Sequence, residues 1–600
     1  MIILGIHDGH DASASLMIKG KIVAANQEER FSRLKGDYGL PLKAIRCCLK
    51  QGNISINDVD EIAVASHTLN PVLLYIKRNA NFTVSDWVKE QEEYWYKVFY
   101  LKKKKINYYK IFKNRFKKLD KYYDFKNLLT LYNDRDLIKK FKEIRLECIS
   151  KNLNFPKNKI RFYTHEFCHI YYSYYFYPER KNGIAITSEG IGDFSNGSVG
   201  TIKNNEYKLN SYTRKNHLGH IYQYITLLLG MKPNQHEYKT MGLAPYASRY
   251  EIDKIYPFLD EVLRIKNLNI TFKKKPKDLY FYFKKIFHGA RFDGIAGAVQ
   301  KFIELKLQEW FLNCKKELKL NRFYFSGGVA QNIKAAMFLN NSKNLGKVIV
   351  PPAAGDSTLS IGACYHSMHL KNLEKKNKDK LKISPIKNMY LGYKNNPKNI
   401  EDYIYKHKLD KKFKIIKNYK PERVAKIISK GMIIGRCCGS MEFGLRALGN
   451  RSILADPRKF ETIAKINHKI KKRDFWMPFT PSVLFEDRNK FYKNQKNLNA
   501  KFMSMAFETT EFGRKNLKAA IHPADFTIRP QTVKREDNKS YYDLIKSFKN
   551  ITKVGALLNT SLNLHGMPIA LSHVDALYIL FNSDLDAMVF DKIIVMKKKL

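Results

Sequence analysis

Six hundred residues at 44% apolar content exceed what one hydrophobic core organises, and 108 Lys and Arg against 56 Asp and Glu leave a formal charge of +52. The eight cysteines show no CxxC spacing, and the opening MIILGIHDGHD reaches Asp8 before an apolar signal region can form; this argues against disulfide-scaffold, secreted and membrane-spanning classes and for a soluble cytoplasmic protein in a reducing compartment. The basic charge runs along the whole chain together with Asn, Ile, Tyr and Phe, which points to composition bias and an anionic small substrate, since a nucleic-acid footprint should cluster.

Residues 2–6 read as a strand, 7–11 as a polar turn, and 14–18 and 22–25 as a hairpin around Lys19-Gly20. The same order returns at 183–187, in the acidic Gly turn 188–193, and in a second hairpin around Asn204-Asn205. Strand, turn and hairpin occurring twice indicate an internal duplication and the outline of an actin/sugar-kinase type of fold, in which both turns face a cleft for nucleotide phosphates. Residues 27–35, QEERFSRLK, alternate in charge and read either as a solvated edge or as a substrate-facing loop. Residues 79–154 read as a helical insertion, with Thr83 and Asp86 as N-cap and first-turn acid and Leu137, Phe141, Ile144 and Cys148 on one face.

In HEFCH, His165 and His169 stand four apart on one helical face and suit two imidazoles on a single metal, although the spacing equally suits a packed or capping pair. Asp356, at a strand-to-helix crossing after PPAAG, could supply a carboxylate. The strand 323–325 followed by SGGVAQN brings Gly327, Gly328 and Asn332 to a helix start, where a phosphate or ribose can be met. Residues 217–222 and 234–244 are dense in polar groups beside Gly and read as cleft loops. The Lys/Asn/Glu-rich stretch 371–385 is the expected linker between a first domain, 1–370, and a second, 386–600.

The second domain carries GSMEFGLRALGNRSILADPR. Arg446, Arg451 and Arg458 beside Gly444 and Gly449 form an expected phosphate or acyl-phosphate site, because guanidinium forks and closely approaching backbone N–H groups serve the same anion.

Taken together, GIHDGHDASASL, HEFCH, HEYKTMGLAPY, SGGVAQN, PPAAGDSTLSIGA, MEFGLRALGNRSILADPR, KKRDFWMPFTPSVL and NTSLNLHGMPI resemble, in order and over nearly the whole chain, the O-carbamoyltransferase family of the nodulation-factor, cephamycin and tobramycin type. The resemblance implies an α/β protein: a duplicated actin/sugar-kinase-like domain with its insertion, joined to a C-terminal YrdC-like α/β domain. It implies an enzyme that converts carbamoyl phosphate and ATP to carbamoyl adenylate in the second domain and transfers the carbamoyl group to an acceptor hydroxyl, of a saccharide or secondary metabolite, at an Fe(II) or other divalent metal site in the first.

By motif, His165, His169 and Asp356 are the implied metal ligands, and Glu189, Gly327, Gly328 and Asn332 face the adenylate. His10, assisted by Asp8, is expected to be a neutral imidazole that accepts the hydroxyl proton, and Lys35 to orient the acyl adenylate. Arg446, Asn450, Arg451 and Ser452 would hold carbamoyl phosphate; Lys471, Arg473, Asn559 and Ser561 would surround the triphosphate or acyl oxygen. The chain departs from the family pattern with Glu189 for Asp, Leu445 for Pro and Leu562 for Phe, none of which removes a charge. A tRNA-modifying transferase of the threonylcarbamoyl type, or another RNA-binding enzyme, is the alternative that the charge favours, and it predicts salt-dependent RNA binding. A non-catalytic nucleotide-binding scaffold would bind ATP without turnover.

Overall fold

The computed structural model describes residues 1–70, 77, 82–103, 111–112, 123, 134–374 and 380–598. These form two compact units, Met1–Glu28 with Gly36–Ile386, and Glu29–Lys35 with Lys387–Leu600.

In the first unit, β1 (Ile2–His7), β2 (Ser13–Ile18) and β3 (Lys21–Gln27) form an antiparallel meander, and β4 (Glu61–Ala65) and β5 (Ile160–Tyr163) add in parallel, giving the order β3-β2-β1-β4-β5. A second sheet repeats the plan. The strands β6 (Gly183–Ser188), β7 (Gly197–Lys203) and β8 (Glu206–Thr213) are its meander. After a small hairpin of β9 (Leu263–Lys266) and β10 (Asn269–Phe272), β11 (Arg322–Ser326) and β12 (Lys347–Ile349) complete the order β8-β7-β6-β11-β12 with the same polarities.

The duplication extends to detail. Lys19-Gly20 and Asn204-Asn205 all have positive φ, the geometry of a two-residue turn that matches the twist of its flanking strands. Each meander also shifts register once between its second and third strands, at Leu16/Met17 and at Val199/Gly200. The central strands β1, β4 and β6 are apolar and buried on both faces, whereas β8 alternates exposed and half-buried residues as an edge strand should.

Two buried helices cross between these elements, His165–Phe176 packed on β6 and β11 and Leu359–Leu373 packed on β1, β2 and β4. Their crossing is tight enough that a Cβ on Gly362 would lie 2.1 Å from the Cys168 carbonyl oxygen. The expected insertion is helical at Val84–Lys89, with the Thr83/Asp86 capping box formed, and at Asp134–Leu153, where Leu137, Phe141 and Cys148 are buried and Ile144 half-buried. Residues 79–81, 104–110, 113–122 and 124–133 of that expectation lie outside the described residues.

In the second unit an eight-stranded mixed sheet has the order β13-β22-β21-β14-β15-β20-β16-β19. Its strands are β13 (Phe413–Lys417), β14 (Ile434–Cys437), β15 (Arg451–Ala455), β16 (Thr480–Leu484), β19 (Gln531–Val533), β20 (Ala556–Ser561), β21 (Ala587–Val589) and β22 (Ile593–Lys597); β17 (Phe507–Glu508) and β18 (Thr527–Ile528) pair separately. One apolar cluster packs around Ile453, Leu558 and Leu577, another around Leu454, Leu557 and Phe548, so alternate residues of the same strands serve both faces.

The first unit ends at Ile386, beside the start expected for the second domain. Where described, 371–385 is no free tether: the helix runs on to Leu373, Ser384 N donates to Gly20 O, Ile386 N donates to Phe176 O, and Ile383 and Ile386 are buried. Glu29–Lys35 belongs to the second unit, because Arg30 Nη2 donates to Gly444 O at 2.7 Å and Arg33 donates to the carbonyls of Pro568 and Ile569. Among the described residues no helix is long and apolar enough to cross a membrane, and all eight cysteines are free thiols.

Candidate metal centre and anion site

In the first unit the helix starting at His165 and the crossing before Asp356 bring four donors together: His165, His169, Glu189 and Asp356, with one ligand atom from each within 4.8 Å of the others. His169 Nε2 lies 2.8 Å from Glu189 Oε1, 3.2 Å from His165 Nε2 and 3.6 Å from Asp356 Oδ1; His165 Nε2 lies 3.8 Å from the same Asp356 oxygen. Burial opposes a charge on His169, but the Glu189 and Asp356 carboxylates outweigh it and lift the imidazole to about 10. Burial likewise opposes ionisation of Asp356, yet His169 and His165 hold its carboxyl well below the usual range. Two imidazole nitrogens and two carboxylates converging in a buried space are the donor set of a borderline divalent cation. The residues fit a divalent metal on this convergence of donor atoms. Glu189, one methylene longer than the family's Asp, reaches His169.

A loop carboxylate, Asp193, and a helix carboxylate, Glu166, fix the geometry. Asp193 accepts from the backbone N of His67, Thr68 and His165, each at 2.8 Å. Glu166 Oε1 accepts from Phe194 N and Ser195 N, tying the turn that carries Glu189 to the helix that carries both histidines. Gly327 and Gly328, expected at the adenylate, instead make room for Glu189: Gly328 N donates to its Oε2 at 2.9 Å, and Gly327 N donates to Ala354 O. Gly327 has φ of +99°, and a Cβ there would stand 2.3 Å from Glu189 Oε1. Gly327→Ala is therefore expected to displace Glu189 and to cost about 1–3 kcal/mol, read as a lowered thermal midpoint together with reduced metal content. Asn332 is also engaged. Its Oδ1 caps the following helix through Ala335 N, and its amide pairs with Gln300.

The expected partnership of Asp8 with His10 does not form. Asp8, fully buried, takes Arg145 Nη2 at 2.6 Å on Oδ1 and Arg145 Nε at 2.8 Å on Oδ2, with Tyr123 OH at 3.0 Å. Asp11 replaces it: the backbone turns to φ of 59° there, and Oδ2 lies 3.2 Å from His10 Nδ1. Burial would lower the His10 pKa, but Asp11 outweighs it and raises the imidazole to about 9. Its Nε2 is buried without a hydrogen-bond partner. Lys35 lies in the second unit and is exposed.

In the second unit a group of cations comes together. Burial, then Arg446 and Arg473, push the Arg529 guanidinium well below its usual range, and burial, then Arg473 and Lys35, do the same to the Lys471 ammonium. Lys471 Nζ donates to Ser561 Oγ at 3.1 Å, to the Ser561 carbonyl and to Asn563 Oδ1 at 2.7 Å, which fixes it at the end of β20. Like charges crowded out of water are stabilised by an anion, and the arrangement can hold phosphate or carboxylate oxygens. Sequence reasoning missed Arg529; the isolated IRP in a Gly-poor stretch gave no anion signal, but its Nε is buried without a partner.

Other members of the expected site are hydrogen-bonded within the chain. Arg451, 0% exposed, donates to the carbonyls of Leu571, Cys438, Asn450, Tyr393 and Gly439. Arg458 pairs with Asp456 through Nε and Nη2. Asn450 Oδ1 accepts from Arg436 and Asn538, Ser452 Oγ accepts from Gly449 N, and Asn559 Nδ2 donates to Ala447 O and Ser482 Oγ. The common organiser of the loop is Glu442, whose Oε1 accepts from the backbone N of Leu448, Asn450 and Arg451.

Comparison with known proteins places the chain. The family model described as Carbamoyltransferase N-terminus matches residues 2–365 and the one described as Carbamoyltransferase C-terminus matches 425–597, so the chain belongs to the carbamoyltransferase family and is a transferase enzyme. It is 31% identical over 610 residues to an uncharacterized protein of Methanocaldococcus jannaschii, covering 97% of this chain and 96% of the other. It is 32% identical over 140 residues to the 3'-hydroxymethylcephem-O-carbamoyltransferase of Amycolatopsis lactamdurans, covering 23% of this chain and 26% of that one. Among solved structures it aligns with component A of the Acidaminococcus fermentans (R)-2-hydroxyglutaryl-CoA dehydratase at a TM-score of 0.31 and 12% identity, over 61% of this chain and 97% of the other.

Proposed function

We propose that this carbamoyltransferase is ATP-dependent and carbamoylates a hydroxyl of a small acceptor, a saccharide or secondary metabolite. The second unit, which we take as YrdC-like, combines carbamoyl phosphate, ATP and water into carbamoyl adenylate, pyrophosphate and phosphate. The first unit, of actin/sugar-kinase type, then joins the carbamoyl carbon to the acceptor oxygen and breaks its bond to AMP. The observation that carries this reading is the convergence of His165, His169, Glu189 and Asp356 in a family that transfers an acyl group.

Arg446, Lys471, Arg473 and Arg529 bind the anionic oxygens of both substrates, with Lys35 adding charge from its edge. Arg451, Asn450, Ser452 and Glu442 hold the loop that presents Arg446. His165, His169, Glu189 and Asp356 hold the divalent metal, iron(II) on the family resemblance, which supplies Lewis acidity and a template without a redox step. His10, made more basic by Asp11 at Nδ1, takes the acceptor's proton at Nε2 from its neutral form. The amide cap at Asn332 and the Gly327-Gly328 turn keep Glu189 in place.

The test is incubation with carbamoyl phosphate and ATP. Pyrophosphate and phosphate release should follow, and mass spectrometry should find a carbamoyl gain on a hydroxyl of a candidate saccharide or secondary metabolite. Failure to consume ATP in the presence of carbamoyl phosphate would overturn the reading; carbamoyl transfer to tRNA instead would assign the enzyme to the RNA-modifying class.

A further inference from the structure

The fully buried Asp8–Arg145 pair has no place in the chemistry above, yet it is among the most completely enclosed charged groups of the first unit, at 0% exposure on both sides. Burying such a pair is at best close to neutral for stability, because the desolvation of two charges offsets their attraction. Its position gives it another use. Arg145 Nη1 donates to Ser66 O at 2.9 Å and Nη2 to Ala65 O at 3.2 Å, while the guanidinium carbon lies 4.9 Å from the centroid of the Phe162 ring. The two carbonyls belong to the end of β4 and the residue after it, where Ser66 turns left-handed with φ of 72°, a conformation that a non-glycine residue adopts only when its surroundings hold it. Ser66 N donates to Tyr163 O at 2.8 Å, and Asp193 grips the next two backbone N–H groups. The result of all these ties is the placement of one hydroxyl: Ser66 Oγ lies 2.9 Å from His165 Nδ1, which leaves Nε2 turned toward His169 and Asp356.

We propose that Asp8, Arg145 and Ser66 form a positioning chain that orients the His165 imidazole and thereby sets the metal affinity of the four-donor cluster. The proposal rests on the metal reading of that cluster. Arg145 reaches in from the helix Asp134–Leu153, so the insertion supplies a support for the metal centre as well as a packed face. For a histidine that binds through Nε2, a partner at Nδ1 fixes the ring plane and places the hydrogen on the remote nitrogen; loss of such a partner lowers metal affinity about 10–100-fold.

The test is Co(II) binding to the full-length protein by equilibrium dialysis, with the visible absorption of bound Co(II) as a readout of ligand geometry. Ser66→Ala and Arg145→Met should each weaken Co(II) binding about 10–100-fold and change the absorption band. Ser66→Gly separates positioning from folding, because glycine relaxes the left-handed residue while removing the hydroxyl. It should keep or raise the thermal midpoint and still lose Co(II) affinity, so the test stands even if Arg145→Met fails to fold. Wild-type affinity and spectrum in Ser66→Ala and Ser66→Gly would overturn the chain. A wild-type protein that binds no Co(II) would overturn the metal reading itself, before any variant is compared.

Discussion

Arg451→Ala is expected to cost the second unit about 3–5 kcal/mol of stability, a large share of the roughly 5–15 kcal/mol that a folded protein has in hand. The side chain is enclosed at the start of β15 and donates to carbonyls from four separate stretches of chain, at Tyr393, Cys438 and Gly439, Asn450, and Leu571. Truncation removes a donor from all five; Tyr393 O and Asn450 O keep the backbone N of Met441 and of Cys438, and the others lose their guanidinium donor out of water. Arg529→Ala should behave in the opposite way. Its charge is destabilised in place by burial and by Arg446 and Arg473, so removal relieves the unliganded protein. The thermal midpoint should hold or rise, while pyrophosphate release in the presence of carbamoyl phosphate should fall by about 100-fold, roughly 3 kcal/mol of lost anion stabilisation. Urea unfolding and a pyrophosphate assay on both variants decide the matter. An Arg451→Ala protein with wild-type unfolding and no pyrophosphate release would return Arg451 to the binding site.

The contrast between these two arginines marks how far the sequence could be read. A guanidinium that grips backbone carbonyls and one that would grip phosphate offer the same donors, so the GNR motif located the loop and left open which way Arg451 faces. Duplication was legible because turns and hairpins are local: Lys19-Gly20 and Asn204-Asn205 specify their geometry within a few residues. The two histidines four apart were legible for the same reason. The partner of His10 was not, since it depends on one left-handed residue at Asp11, which turns the nearer carboxylate toward the ring while Asp8 closes on Arg145. Arg145 itself lay in plain view on the face of Leu137, Phe141 and Cys148, where a charge among apolar positions signals a buried partner. The packing of Glu29–Lys35 in the second unit joins residues more than four hundred positions apart, and no periodicity carries that information.

His169→Ala is expected to abolish carbamoyl transfer and spare the formation of the adenylate. His169 is 0% exposed and stands within 4 Å of the other three members of its cluster, so truncation opens a buried space and leaves Glu189 and Asp356 as neighbouring carboxylates without the imidazole between them. Metal binding should be lost with it, and the transfer step should slow by about 1,000-fold, equivalent to roughly 4 kcal/mol of barrier. The neighbours named for Lys471 and Arg529, which are Arg446, Arg473, Lys35, Ser561 and Asn563, belong to the second unit, and His169 belongs to the first. Pyrophosphate release should therefore stay near the wild-type rate while the carbamoylated acceptor disappears, with the adenylate accumulating or hydrolysing instead. Parallel assays of pyrophosphate and product on His169→Ala discriminate sharply: an equal fall in both would mean that one site performs both steps, and that the donors around His169 do not act on transfer alone.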